Sequence, residues 1–69
     1  MDICSNLRKI RTARKFSQED IAEVLGIIQQ QYSRYETGQN EIPVHHVITL
    51  CKFYGISADW LLGLTEEIE

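Results

Sequence analysis

The 69-residue chain predicts an all-α fold of five short helices in a single domain, residues 1–69. Three observations carry this reading. Apolar residues recur at three- and four-residue spacing, Ser17 and Ser57 stand where helix caps belong, and Gly26, Gly38, Gly55 and Gly63 follow the apolar stripes as stops. No segment shows the alternation of a half-buried strand. At this length only one small core can form, and such domains often gain stability from a partner subunit.

The first helix is expected from Asp2 to about Arg14, where Ile3, Leu7 and Ile10 share a face. Ser17 with Asp20 three residues on resembles a capping box, and Ile21, Ala22 and Leu25 give the second helix an apolar side that ends at Gly26. A third helix from about Gln29 to Thr37 is expected to bury Ile28, Tyr32 and Tyr35. Its opposite face carries Gln30, Gln31, Ser33 and Arg34, with Gln29 beside it at the helix entrance. Pro43 suits the start of a fourth helix, whose inner side is read as Val44, Val47, Ile48 and Cys51. Ser57 caps a short fifth helix with Trp60, Leu61 and Leu62, followed by an acidic tail over about 64–69.

The formal net charge of -3 argues against a generic polyanion binder, whose affinity would come from neutralising phosphates. The charge is nonetheless polarised. Arg8, Lys9, Arg11, Arg14 and Lys15 gather near the start against Asp2 alone, while Asp59, Glu66, Glu67 and Glu69 lie at the other end. On charge alone the ordinary reading is a solvated helix face and a frayed tail. No long apolar run or leader-like segment is visible, so a soluble cytoplasmic protein without a membrane partner is expected.

Cys4 and Cys51 are too few and too far apart for a disulfide framework. Joining them with His45 and His46 into a zinc site fails because adjacent helical residues diverge by roughly 100°. No metal and no cofactor is expected, and His45 and His46 are read as lying on a partly exposed helix start. An enzyme is the least favoured class, since the chain offers no nucleophile paired with a base and no phosphate-cradling glycine loop.

Two short helices joined by a glycine-containing turn fit a helix-turn-helix over about 17–38, whose second helix can enter the major groove of DNA. The blocks SQEDIA from Ser17, LGI from Leu25, YSRYETG from Tyr32 and GISADWLLG from Gly55 resemble the lambda-repressor-like helix-turn-helix family, of the phage Cro and repressor type. That resemblance covers nearly the whole chain. It implies a compact five-helix domain of a bacterial or phage transcription regulator, acting as a repressor that binds double-stranded operator DNA as a homodimer on an inverted repeat.

Carried over residue by residue, the resemblance gives Gln18 a phosphate contact and a bracing role. Gln29, Gln30 and Gln31 fall at the start of the recognition helix, where glutamine can pair with adenine N6 and N7. Arg34 is expected to reach a guanine or a phosphate, and Ser33 is a weaker candidate. Arg11 resembles one half of an ion pair with Glu36 and is divided between structure and phosphate contact, an exposed pair adding little stability. Trp60, Leu61 and Leu62 either help close the dimer or cap the monomer's core.

Three departures from the family pattern stand out. Ile28 replaces a usual serine or threonine cap, Lys15 replaces a common glycine, and the loop Gln39, Asn40 and Glu41 lacks the basic residues of many relatives. The acidic balance keeps a second reading open, a protein-binding module of the same fold such as an antitoxin or adaptor.

Overall fold

The structure, a computed structural model, describes residues 2–68; Glu69 of the expected tail lies outside them, as does Met1. Five helices follow in order: α1 (Ile3–Ala13), α2 (Gln18–Leu25), α3 (Gln29–Thr37), α4 (Val44–Tyr54) and α5 (Ala58–Leu61). The described residues contain no strand.

Local chemistry sets most of the helix ends. Asp2 caps α1 from outside the helix, its carboxylate accepting from the Ser5 N–H at 2.8 Å. At Ser17 the capping box is complete: its hydroxyl accepts from the Asp20 amide at 3.0 Å, and the Asp20 carboxylate accepts from the Ser17 amide at 2.9 Å. Between these helices Lys15 adopts a left-handed φ of 63°, a conformation glycine tolerates better. Gly26 ends α2 at a φ of 70°, and the Ile27 amide returns to the Ala22 carbonyl at 3.0 Å. That turn sets α3 across α2.

The core gathers Leu7 and Ile10 from α1, Ile21 and Ala22 from α2, Tyr32 and Tyr35 from α3, Val47, Leu50 and Tyr54 from α4, and Trp60 and Leu61 from α5. Tyr32 and Tyr35 meet edge to face with ring centroids 6.4 Å apart. Two polar links tie α1 to the far end of the chain. The buried Asn6 amide donates to the Trp60 carbonyl at 2.8 Å, and the Arg14 guanidinium donates to the Tyr54 carbonyl at 3.0 Å, where α4 ends.

Four expectations are corrected here. Ile28 is not part of the buried stripe; it precedes α3 as the N-cap and is 64 % exposed. In α4 the inner face is His46, Val47, Leu50 and Tyr54, while Val44 is 73 % exposed and Ile48 points outward. His46 is therefore buried, its ring near Tyr35 and His45, and only His45 is exposed. The tail is not frayed as far as residue 68, because the Ile68 carbonyl accepts from the Ser57 amide at 2.8 Å and its side chain packs on the core.

Candidate nucleic-acid interface

Nine residues make α3, so its two sides are easily told apart. Tyr32, Tyr35 and Glu36 are buried, whereas Gln29, Gln30 and Arg34 are exposed and Gln31 and Ser33 are half-buried. Positions four apart share a row, so Gln30 lies in line with Arg34 and Gln29 with Ser33. The outward rows thus carry amide, hydroxyl and guanidinium groups, a chemistry suited to base edges and phosphates.

Gln31 is only partly available. Its amide donates to the Tyr35 hydroxyl at 3.1 Å, tying it to the helix flank. Gln30 and Arg34 have open side chains at the surface. Gln29 is held from outside α3, its Nε2 donating to Gln18 Oε1 at 3.0 Å. Gln18, from the first turn of α2, thus touches the first residue of α3.

Behind this surface, Glu36 joins three helices. Its buried carboxylate accepts from Arg11 Nε at 2.6 Å and Nη2 at 3.0 Å, from the Tyr32 hydroxyl at 2.7 Å and from Gln18 Nε2 at 3.1 Å. Burial opposes its charge, but hydrogen bonds from Arg11, Tyr32 and Gln18 outweigh that penalty and hold its carboxyl below the ordinary carboxylate range. The same environment pushes the Tyr32 hydroxyl up, first through burial and then through its bond to Glu36. Glu36 therefore stays charged and Tyr32 stays a donor.

This changes the expectation for Arg11. Its pair with Glu36 is not an exposed one, because the Arg11 side chain is 13 % exposed and that of Glu36 fully buried. Arg11 Nη1 also donates to the Phe16 carbonyl at 2.9 Å, across the Lys15 turn. The guanidinium is committed to structure, and Arg8, exposed on α1 with its Nε 3.8 Å from Glu36, lies outside that tight cluster.

In and after α5, Trp60 and Leu61 are buried in the monomer's own core, leaving Leu62 as the outward member of that trio. Leu62 borders a groove with Ile3, Cys4 and Val44. Neither Trp60 nor Leu61 is free to meet a second chain without disturbing the contacts of α5 with α1.

The helix-turn-helix family model HTH_3 matches residues 7–61. The chain belongs to the lambda-repressor-like helix-turn-helix family. Among curated members of this family, the chain is 36 % identical over 64 residues to the uncharacterized HTH-type transcriptional regulator YobD of Bacillus subtilis, covering 93 % of this chain and 57 % of YobD. It is 35 % identical over 62 residues to the cryptic phage CTXphi transcriptional repressor RstR of Vibrio cholerae, covering 90 % of this chain and 56 % of RstR. The chain thus spans a little over half the length of these relatives. Among solved structures it matches a transcriptional regulator from Listeria innocua with a TM-score of 0.87 and 22 % identity, over 99 % of this chain and 64 % of that one. The P22 c2 repressor, solved in complex with synthetic operator 9T, matches with a TM-score of 0.83 and 22 % identity, over 94 % of this chain and 98 % of the repressor. Both likenesses establish the all-helical lambda-repressor-like fold.

Sequence reasoning singled out the glutamines and Arg34, of which Gln29, Gln30 and Arg34 are exposed, but missed how Gln29, Gln18 and Glu36 connect. The signal was present in part. The resemblance already paired Arg11 with Glu36, and Tyr32, read as a core residue, stands four residues before Glu36 on the same helical row.

Proposed function

We propose that the chain is a sequence-specific double-stranded DNA-binding domain of a transcriptional regulator, acting as a repressor and placing α3 in the major groove. The observation that carries this reading is the exposed side of α3, where Gln29, Gln30 and Arg34 lie on two adjacent rows of a helix whose other side is locked by Tyr32, Tyr35 and Glu36. Rigid presentation of amide and guanidinium forks is what direct readout of base edges requires. The repressor role is supported by the kinship with RstR.

One recognition helix reads only a few base pairs, so useful specificity calls for two copies on half-sites about one helical turn apart. In this reading the dimer closes through the outward apolar residues Leu62 and Val44, while Trp60 and Leu61 support Leu62 from within. The loop Gln39 to Glu41 is exposed and brings no cation to the phosphates, so most of the discrimination rests on fit.

Selection of bound duplexes from a random pool tests the proposal. Enrichment of an inverted repeat supports a dimeric reader, and a single unrepeated half-site would sink the dimer while leaving DNA binding in place. No enrichment at all would move the function to a protein partner.

A further inference from the structure

The hydrogen bonds across the motif run in one direction. Glu36 is an ionised carboxylate and can only accept, so the Gln18 amide must turn its NH2 end inward toward it. That leaves Gln18 Oε1 facing outward, where it accepts from Gln29 Nε2. Gln29 is then presented with Oε1 and one remaining N–H uncommitted, in an order it cannot reverse without losing its bond to Gln18. Free glutamine amides have no such preference, since rotation by about half a turn exchanges their donor and acceptor.

We infer that Glu36 is a positioning residue for base specificity: through Gln18 it fixes the donor and acceptor order of Gln29 and so favours adenine at the base pair Gln29 meets. Adenine presents an amino donor at N6 beside an acceptor at N7, the complement of a glutamine offering one acceptor and one donor. Guanine presents two acceptors on the same edge, so one of its contacts opposes Gln29 Oε1. A loose Gln29 can exchange its donor and acceptor ends to suit another base, whereas a held one keeps Oε1 and its remaining N–H in the order adenine complements. The anchor is stable because Arg11 and Tyr32 saturate the other carboxylate positions and keep Glu36 from rotating. This inference rests on the DNA-binding reading above and names a determinant of its specificity.

The test uses the duplex that the wild-type chain selects from a random pool. The base pair met by Gln29 is identified as the one whose preference Gln29→Ala abolishes, and affinities are then measured with each of the four base pairs there. The wild type should prefer adenine by about tenfold or more at that position. Glu36→Gln replaces a pure acceptor with a group that can also donate, and should reduce the preference to about threefold or less, with preferences at other positions unchanged. Because this variant leaves Arg11 buried without its charge partner, Arg11→Met with Glu36→Met is measured beside it, an apolar replacement of the whole pair that such sites often tolerate. Gln18→Met cuts the relay outside the buried pair, should give the same loss of preference, and should make Glu36→Gln add no further loss. A selected site lacking adenine at that position, or an adenine preference unchanged in Gln18→Met, overturns the inference. So does a loss spread equally over all positions, the result expected of a residue that only stabilises the fold. Failure of the wild type to select any site would instead defeat the DNA-binding reading itself.

Discussion

The two helices of the motif begin in opposite ways. At α2 the chain satisfies itself within four residues, Ser17 and Asp20 exchanging hydrogen bonds across the first turn. At α3 the capping position holds Ile28, which makes no side-chain cap and lies in solvent. A capped start can be set by local sequence alone, but α3 depends on remote groups, with Gln18 reaching its first residue and Glu36 tied to Arg11 near its last turn. The start of α3 is thus held by tertiary contacts, and the start of α2 by its own end. A helix start without a side-chain cap also leaves its first amides open to an anion, which a capped start does not.

The largest effect should come from removing the remote support. Glu36→Ala leaves Arg11 buried without its partner and should cost about 3–5 kcal/mol in a denaturant melt, enough to threaten a domain of this size. The loss should depend on pH. Because the folded Glu36 carboxyl lies below its ordinary value of 4.5, the wild type holds its full advantage above that pH and loses it as the pH falls through the folded value. Melts across the acid range should therefore converge for wild type and variant at the low end, and parallel curves would show that Glu36 is not charged in the fold.

A step smaller, the outward side of α3 should govern binding without governing stability. Gln29→Ala and Gln30→Ala should each weaken the selected operator by about 1–3 kcal/mol, with preference relaxed at one base pair, while the melting temperature hardly moves. Equal weakening on every sequence would remove them as base readers.

The smallest effects compare the caps directly. Ser17→Ala should lose about 1 kcal/mol of stability, and Ile28→Ser should gain about 0.5–1 kcal/mol because the replaced side chain packs on little. If both substitutions prove neutral, the contrast between the two helix starts has no energetic content.

These residues also show what the sequence reveals and what it conceals. Ser17, Gly26, Ser57 and Gly55 act on neighbours a few residues away, so their roles were legible and the order of five helices followed from them. The inner face of α4 was not. Val44, Val47, Ile48, Leu50, Cys51, Phe53 and Tyr54 surround that helix with apolar groups, and periodicity could not tell which side meets the core. The actual face includes His46, which burial pushes below the usual histidine pKa and which Tyr35 packs against from α3. Ile28 misled for a related reason, since its spacing fitted the tyrosine stripe although it stands one residue before the helix. Of the connections of Glu36, the pair with Arg11 was implied by the resemblance, but its burial and its bonds to Gln18 and Tyr32 were concealed. These connections join positions 11, 18, 32 and 36, and only the packing of three helices brings those together.

Trp60 gives the chain an optical property of its own. It is the single tryptophan, buried against α1 by the Asn6 bond to its carbonyl, while Tyr32 and Tyr35 lie on α3. Tryptophan emission therefore reports on docking of the last helix, and tyrosine signals include the packing of α3. Recorded together during thermal unfolding, the two colours distinguish a domain that opens at one edge first from one that comes apart as a unit.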